Sequence, residues 1–410
     1  MSHVGRRSFL GQAAGALAAL SLLPEALPAA PAARGAPLGL GLVGVGRQGR
    51  AILGELQKLE AVRVAAICDV DPARLEAGAR RVQGAASFAD HRAMLDQARD
   101  LAGVVIATPT HLHREVAEAC LTAGKHVYCE APLAHTPEDS RAIADAARAS
   151  KTVFQAGLEA RSNPIYQLAR TFFRSDSVRD LVSLRGQHHQ KTTWRTAGSD
   201  AAREAALNWR LDPRVSLGLA GELGTHQFDV AHWYLGHYPT QVRGGGSVRV
   251  HKDGREVADT ISCDLGFADG VEMGYFATLG NSYQGRFETF HGSNAAIRLA
   301  WTAGWMFKEA DAPTQGWEVY ANRQQFHNDE GITLIADATK LASQGKLKEG
   351  VGLPFPPLYY ALADFVRSIA EGRPVVCGAE EGHRATVVGI MAARAVRTGD
   401  TVRIDPELLK

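Results

Sequence analysis

Three glycines form the most informative spacing in this chain. Gly44, Gly46 and Gly49 follow an apolar run typical of a buried strand, and a helical pattern begins directly after them. The first glycine permits a tight turn, the second lets the backbone approach a pyrophosphate, and the third lets the helix pack closely on the strand. Free N–H groups at the helix start would bind the pyrophosphate. The spacing predicts a dinucleotide-binding turn that includes Arg47 and Gln48.

A carboxylate stands at the end of the second predicted strand. Asp69 lies twenty positions after Gly49, where a carboxylate can bind both ribose hydroxyls of a dinucleotide. It would also repel a 2′-phosphate, which favours NAD over NADP, although Arg47 could contact either kind of phosphate. The alternative interpretation is that Asp69 merely begins the turn that ends at Pro72.

An acid and a histidine four residues apart could carry a second chemistry. On a helix, Glu222 and His226 would share one face, so that the carboxylate orients the imidazole and raises its basicity. Removing a hydride from an alcohol also requires loss of the hydroxyl proton, and His226 is the predicted acceptor. Two alternatives stay open: a buried histidine without chemistry, and a metal site that includes Asp229. Further ligands at a convincing spacing are missing, so we expect no metal.

The order of predicted elements indicates an α/β protein. Strands and helices alternate up to residue 157, which predicts a doubly wound parallel sheet. A helix at about 163–175 then precedes strands of alternating polarity, which predicts a large, open, mainly antiparallel sheet with one face free. These strands are expected at 179–191, 241–251, 256–268, 270–280, 285–291 and 295–300.

The predicted domains follow from this order. We expect a Rossmann domain at 38–157, an α+β substrate and oligomerisation domain at 158–375, and a C-terminal helix and tail at 376–410 that pack back on the first domain. Segment 301–355 lacks clear periodicity and could be a cleft lid or an oligomer arm.

The first 32 residues predict a twin-arginine signal peptide. Arg6 and Arg7 precede a short apolar stretch of small residues, and Ala30 to Ala32 offer a cleavage site. The stretch is too short to span a bilayer, and no cysteine near the cleavage site could carry a lipid. We expect export to the periplasm by the twin-arginine translocation machinery, without a stable membrane anchor. A disordered alanine-rich leader is the alternative.

Composition excludes several function classes. A net charge of +1 gives no basis for binding nucleic acid or an anionic membrane. With 45% hydrophobic residues, the 410-residue chain can bury a large core in two domains. The five cysteines show no metal-binding spacing, and their odd number argues against a disulfide framework. Buried thiols are expected.

Together these features resemble the glucose–fructose oxidoreductase / inositol dehydrogenase (Gfo/Idh/MocA) family over essentially the whole mature chain. Besides the glycine turn and Asp69, three blocks carry the resemblance: Ala-Thr-Pro-Thr-His-Leu-His at 107–113, Gly-Lys-His-Val-Tyr-Cys-Glu-Ala-Pro at 124–132, and Glu-Leu-Gly-Thr-His-Gln-Phe-Asp at 222–229. The resemblance implies oxidation or reduction of a sugar or cyclitol carbon with NAD(P). Family members often assemble through the open sheet, so we expect a homodimer or homotetramer.

The resemblance also assigns residues to the site. It implies that the first block brackets the cofactor, the second lies at the nicotinamide, and the third presents Glu222 and His226 to the reacting carbon. The implied cofactor residues of the first two blocks are Thr108, Pro109, His111, His113, Glu130 and Pro132.

Two departures from the family pattern matter. The lysine of the family's Glu-Lys-Pro block is Ala131 here, and the aspartate four residues before the histidine is Glu222. In the family, that lysine orients the substrate hydroxyl and assists its proton transfer, whereas hydride transfer comes from the cofactor. Its loss could mean a weak enzyme, another residue in its place, or changed chemistry.

Four further side chains are candidate substrate contacts, each with a structural alternative. Arg161 could reach the substrate or nicotinamide, or form an interdomain salt bridge. Lys191 could replace the missing lysine or simply be solvated, and Trp209 could stack on a sugar or belong to the core. Tyr283 lies in a turn whose polar groups could line the cleft or only make the turn.

The expected location bears on the reaction. Because the periplasm maintains no nicotinamide pool, an exported enzyme is expected to bind NAD tightly and to regenerate it within each cycle. It could oxidise one sugar and reduce another, or cleave a glycoside by oxidation, elimination, water addition and re-reduction. We expect an exported sugar oxidoreductase. Glycoside cleavage is the alternative, and a non-catalytic sugar-binding protein is the second alternative.

Overall fold

The structure is a computed structural model that describes residues 36–315, 318, 321–336, 341, 344 and 351–410. The predicted signal peptide lies outside the described residues. The chain forms two compact units, which interleave along the sequence, whereas the predicted domains are consecutive. Among described residues, the larger unit holds 36–162, 186–285 and 357–410, and the smaller unit holds 163–185 and parts of 286–356.

A six-stranded parallel sheet forms the core of the larger unit. Its strand order is β3–β2–β1–β4–β5–β6, so the order reverses between β1 and β4. The strands are β1 (Leu38–Val43), β2 (Val62–Cys68), β3 (Ala86–Phe88), β4 (Gly103–Ile106), β5 (His126–Glu130) and β6 (Phe154–Gly157). Most residues of β1, β4, β5 and β6 are buried, as in a sheet covered on both faces. The doubly wound sheet predicted from the sequence is confirmed.

Five helices connect these strands, and most begin at a side-chain cap. Asp71 accepts the Arg74 N–H and Thr136 accepts the Asp139 N–H, which satisfies first-turn donors. The helices are α1 (Arg47–Leu56), α2 (Pro72–Ala79), α3 (His91–Gln97), α4 (His113–Thr122) and α5 (Pro137–Ala149). Helices α1 and α4 lack such a cap, and the N-cap of α1 is Gly46, so no side chain caps its first N–H groups.

The second sheet has ten strands and is mainly antiparallel, in the order β14–β15–β13–β12–β11–β7–β10–β9–β8–β16. Its first strands are β7 (Leu181–His189), β8 (Gln241–Ser247), β9 (Thr260–Gly266), β10 (Glu272–Thr278), β11 (Arg286–Gly292) and β12 (Ala295–Leu299). Burial alternates along β10, where Met273 and Tyr275 are buried while Phe276 is 39% exposed. The predicted open sheet is therefore confirmed.

Four short strands were not predicted from the sequence: β13 (Gly304–Lys308), β14 (Arg323–Phe326), β15 (Asp329–Thr333) and β16 (Val402–Arg403). Three of them fall in segment 301–355. Strand β14 is mostly exposed, and β15 begins with two exposed acidic residues, so neither shows the apolar alternation of a half-buried strand.

The remaining helices are α6 (Pro164–Arg174), α7 (Ala201–Leu207), α8 (Thr225–Leu235), α9 (Pro357–Glu371) and α10 (Ala379–Thr398). Helix α10 packs against α5, where Arg141 donates to Glu380 at 3.1 Å. The Leu133 N–H also donates to the Thr386 hydroxyl at 2.9 Å, which ties the end of the β5 loop to α10. All five cysteines are buried free thiols. No helix in the described part of the chain has the length and apolarity needed to cross a membrane.

Gly49→Ala is expected to destabilise the larger unit, because a Cβ at residue 49 would lie 1.9 Å from the Gly44 carbonyl oxygen. Moving α1 away from β1 should lower the free energy of unfolding by about 2–3 kcal/mol. Gly54→Ala in the same helix is the control, since a Cβ there meets nothing within 4 Å. The control should gain about 0.5–1 kcal/mol. Thermal unfolding followed by circular dichroism measures both, and equal melting temperatures would contradict the close packing.

Candidate active site

The glycine turn after β1 is shaped by a close approach of two strand ends. Gly44 has a φ of +94°, in the left-handed region that favours glycine. A Cβ at Gly44 would lie 2.5 Å from the Ala107 carbonyl oxygen, directly after β4. Beside Gly46, the Arg74 guanidinium lies 3.4 Å from the position that a Cβ would take. Uncapped backbone donors and a neighbouring cation therefore fit the pyrophosphate of a dinucleotide.

The buried carboxylate of Asp69 is fixed between this turn and the loop after β2. One oxygen accepts the Val45 N–H at 2.7 Å, and the other accepts the Asp71 N–H at 2.9 Å. Each carboxylate oxygen can accept more than one hydrogen bond, so both can still receive a ribose hydroxyl. Asp69 thus takes part in its own turn and also suits the predicted role toward the cofactor.

Glu130, the last residue of β5, is a buried acid. The Gln48 side chain donates to its Oε1 at 3.2 Å and links it to the glycine turn. Burial, and then the charge of Glu159, raise the pKa of Glu130 to about 8. The hydrogen bond from Gln48 and the positive charge of Arg210 act in the opposite direction. The raised pKa favours the protonated form of this carboxyl group, which can donate a hydrogen bond.

Glu222 lies in a π turn that precedes α8, so the prediction of one regular α-helix through Glu222 and His226 is wrong here. The turn spans Ala220–Gly224, and its i→i+5 pattern changes the register between the two side chains. His226 is the second residue of α8 and is partly buried. Sequence periodicity could not show this change, because a π turn has no distinct residue pattern.

The carboxylate of Glu222 is buried and held on several sides. Oε2 accepts the Thr110 hydroxyl at 3.0 Å, and Oε1 accepts the Leu217 N–H at 3.4 Å. Burial raises its pKa, whereas the charge of Arg210 and then the hydrogen bond from Thr110 lower it. The bond to Thr110 joins the acid to the loop after β4, at the carboxyl edge of the parallel sheet.

Arg210 is a site residue that the sequence analysis did not identify. Its Nε lies 3.9 Å from Glu222 Oε2, and its guanidinium lies 4.4 Å from the centre of the Trp209 ring and 5.6 Å from that of Trp194. It is also close enough to Glu130 for their charges to interact. The sequence did contain a signal for this residue. Because Ala131 replaces the family's lysine, another cation could be expected near the acids, and Arg210 follows Trp209 in the block Asn208-Trp209-Arg210.

The residues after β4 divide into two roles. The ring nitrogens of His113 lie 3.0 Å from the carbonyl oxygens of Pro132 and Thr108, so this histidine ties two loops together. Burial lowers the pKa of His113 to about 4. A neutral ring carries one N–H and so donates to only one of these two carbonyl oxygens, while its enclosed position lies between the two loops. The cofactor contact expected of His113 stays a prediction. His111 instead lies beside Trp209, with ring centres 6.0 Å apart.

Three other residues predicted at the cofactor lie in the same loops. Pro109 is the N-cap of the short 3₁₀ turn at 110–112, and the Ala131–Pro132 peptide bond is cis. The Thr108 hydroxyl is buried and has no hydrogen-bond partner among the residues that the structure describes. An unsatisfied buried hydroxyl beside Gly44 fits a group that a bound dinucleotide would satisfy.

Of the predicted substrate contacts, only Trp209 lies beside the acids. Arg161 makes a buried bidentate ion pair with Asp229, at 2.9 and 2.7 Å. Both residues belong to the larger unit, so this pair is not the interdomain salt bridge that was the alternative for Arg161, and it engages the Asp229 carboxylate that the metal hypothesis included. Lys191 is exposed two residues after β7, and Tyr283 is 73% exposed in the β10–β11 turn. Among the described residues, no hydrogen bond or ion pair joins either of them to Glu222.

Comparison with protein families gives two adjoining matches. A model described as "Oxidoreductase family, NAD-binding Rossmann fold" matches residues 38–158, and one described as "Oxidoreductase family, C-terminal alpha/beta domain" matches residues 188–404. Together they cover most of the chain.

Individual relatives are similar over parts of the chain. Levoglucosan dehydrogenase from Pseudarthrobacter phenanthrenivorans is 29% identical over 254 residues, which are 56% of this chain and 63% of the relative. A glycosyl hydrolase family 109 protein from Shewanella amazonensis is 32% identical over 170 residues, covering 36% of this chain and 37% of that protein. The solved structure of a levoglucosan dehydrogenase with NADH and levoglucosan has a TM-score of 0.70 at 22% identity, covering 90% of this chain and 99% of that one. At that identity the likeness concerns the fold.

The pH dependence of the melting temperature should reveal whether Glu130 is protonated in the folded protein. The folded chain holds this proton up to about pH 8, whereas an unfolded glutamate loses it above about pH 4.3. The folded state therefore binds more protons in this window, and stability falls as the pH rises through it. Because Glu130→Gln has no proton to lose, its melting temperature should rise relative to the wild type by a few degrees between pH 5 and pH 8.

Glu138→Gln, an exposed position at the start of α5, is the control and should show a constant difference from the wild type across the same pH range. A constant difference for Glu130→Gln as well would show that Glu130 is ionised in the folded protein at neutral pH.

Proposed function

Because the chain belongs to the Gfo/Idh/MocA family of NAD-binding oxidoreductases, we propose that it oxidises and reduces a ring carbon of a carbohydrate while keeping one NAD molecule bound. The observation that carries this proposal is the 3.0 Å hydrogen bond between Thr110 and Glu222. It places an acid from the segment before α8 at the carboxyl edge of the parallel sheet, where dinucleotides bind. The partial similarity to a levoglucosan dehydrogenase supports a sugar as the substrate.

The glycine turn and Asp69 would hold NAD, which would supply reversible hydride transfer at the sugar carbon. His226 takes the proton of the reacting hydroxyl as a general base. Glu222, hydrogen-bonded to Thr110 from the turn before α8, supplies a buried acid close to it in the chain. Burial raises the pKa of Glu222, and the charge of Arg210 is the largest influence that opposes this rise. Protonated Glu130 and cationic Arg210 would share the two roles of the absent lysine, proton donor and fixed positive charge.

Retention of the cofactor follows from the proposed location. The twin-arginine pattern supports export to the periplasm. Because no nicotinamide pool is maintained there, an enzyme that released NADH could not exchange it for NAD. A second sugar, or a later step on the same sugar, must then take the hydride back. Asp69 favours NAD in this role, because its carboxylate would repel a 2′-phosphate. We include the predicted homodimer or homotetramer in this proposal.

Glycoside cleavage is the second candidate, and the absence of a lysine at Ala131 together with the similarity to a family 109 protein favours it. Oxidation of the C3 hydroxyl acidifies the C2 proton, which a base such as His226 can remove as the C1 substituent leaves. Water then adds at C1, a proton returns to C2, and the hydride returns to C3. The net reaction is hydrolysis, without consumption of NAD.

The first test measures turnover without added nicotinamide. Purified protein, with its bound NAD quantified after acid release, is incubated in D₂O with pairs of sugars and, separately, with single glycosides. We expect many turnovers per bound NAD when an oxidisable and a reducible sugar are both present. Release of the aglycone with deuterium at C2 from a single glycoside would establish the second candidate instead. Turnover only after NAD is supplied would refute the retention of bound NAD. No turnover under any of these conditions would indicate a sugar-binding protein without catalytic activity.

The assignment of the base is tested at His226. His226→Ala should lower kcat by roughly 10²–10⁴-fold, the usual contribution of a positioned general base. His237→Ala is the matched control, because His237 is a half-exposed histidine that follows α8 and pairs with Asp269. Rates are compared at saturating substrate and equal NAD occupancy. Equal kcat values for the two variants would remove His226 from the mechanism.

A further inference from the structure

Residues 190–212, which follow β7 and contain α7, cross the larger unit from one side of the dinucleotide site to the other. We call this segment the strap. The parallel sheet reverses its strand order between β1 and β4, and dinucleotides bind at such a reversal, outside the carboxyl ends of the strands. Contacts of the strap with the loop after β2 and with the loop after β4 would therefore lie on opposite sides of the cofactor.

On the β2 side, the strap is joined to the loop that begins with Asp69. Arg203 of α7 makes a bidentate contact with Asp71, at 2.6 Å from Nε and 3.3 Å from Nη2. The backbone N–H of Asp71 donates to Asp69. The residue that pairs with Arg203 is thus hydrogen-bonded, through its backbone, to Asp69, the carboxylate predicted to bind the ribose. The Asp71 side chain is only 10% exposed, which limits screening by solvent on that partner.

On the β4 side, the strap ends beside the catalytic acid. The Trp209 ring lies edge-on to His111, with centres 6.0 Å apart, and Arg210 lies 3.9 Å from Glu222. Arg210 also interacts electrostatically with Arg47 of the glycine turn and with Arg74. Arg210 therefore adds positive charge that is felt at the turn that suits a pyrophosphate.

Internal hydrogen bonds give the strap a fixed shape. The buried side chain of Asn208 accepts the Thr196 N–H at 2.7 Å and donates to the carbonyl oxygens of Thr196 and Glu204, at 2.7 and 2.8 Å. Arg195 reaches outward to Asp253 at 2.8 Å. The middle of the strap is therefore internally bonded, between its contact with Asp71 and its contacts beside Glu222.

We propose that the strap closes over the bound dinucleotide and that the Arg203–Asp71 ion pair is the lock on its adenosine side. This inference rests on the proposed function, in which one NAD molecule stays bound. The lock and the buried Arg161–Asp229 pair differ in exposure, because the Arg203 side chain is 34% exposed whereas Arg161 is 9% exposed. A partly exposed pair can open reversibly, which allows NAD to enter before the strap closes.

The test measures the release rate of the cofactor. Protein charged with NADH is mixed with a large excess of NAD, and the loss of bound-NADH fluorescence gives the rate constant. Arg203→Ala should release NADH about threefold to fivefold faster than the wild type, as expected for the loss of a partly exposed ion pair. Arg203→Lys should lie between the two. Asp71→Asn should match Arg203→Ala, because asparagine still caps α2 while the ion pair is lost.

Two comparisons make the result specific to the lock. The double variant should release NADH no faster than either single variant, as expected when both residues act through one contact. Arg214→Ala is the control, since Arg214 is 85% exposed just beyond the strap and pairs with Asp212. Release rates that are equal in Arg203→Ala, Arg214→Ala and the wild type would overturn the proposal, provided that all three melt at similar temperatures.

Failure of the proposed function gives a different result. If the wild type loses its NAD during gel filtration, retention is wrong, yet the ratio of release rates between Arg203→Ala and the wild type still tests the lock. If the wild type retains NAD and Arg203→Ala retains it equally well, the lock is wrong and the proposed function stands.

Discussion

Buried negative charge at the carboxyl edge of the parallel sheet is the constraint on which the larger unit depends. Asp69, Glu130, Glu159 and Glu222 are all at most 9% exposed. A buried carboxylate is costly unless it is paired, hydrogen-bonded or protonated. The cost of burial is offset in a different way for each of Asp69, Glu130 and Glu222. Backbone N–H groups hold Asp69, a raised pKa favours the protonated form of Glu130, and Arg210 with Thr110 holds Glu222.

The substitution at Ala131 explains why these solutions differ. A lysine next to Glu130 would add a cation at the point where Glu130 and Glu159 repel each other. Without it, the pair reduces its charge by binding a proton. The compensating cation comes from Arg210, nearly eighty residues further along the chain. The positive charge beside the acids is thus carried by the strap, which contains Arg210, and not by the loop after β5, where the family has its lysine.

The sequence predicted features that are set by short-range spacing. The glycine turn, Asp69 and the alternation of strands and helices are encoded within about thirty residues, and the structure places them as expected. Contacts between distant residues were not predictable. The partners of Arg161 and Glu222 lie 68 and 112 positions away, at Asp229 and Thr110, so no periodicity reveals them.

Other differences have local causes. The π turn before α8 has the composition of an ordinary helix, and the strands β14 and β15 carry polar residues where alternation would identify them. His113 matched a family block, but the sequence did not show that both of its ring nitrogens would face carbonyl oxygens.

Two ion pairs of different burial show how one unit can be both rigid and able to load its cofactor. Arg161 and Asp229 join the end of β6 to α8 with little access to water, and removing one partner would leave an uncompensated buried charge. This contact can only be permanent. Arg203 and Asp71 are more exposed, so opening their contact costs far less. The larger unit thus combines a fixed frame for the acids with a second ion pair that opens at lower cost.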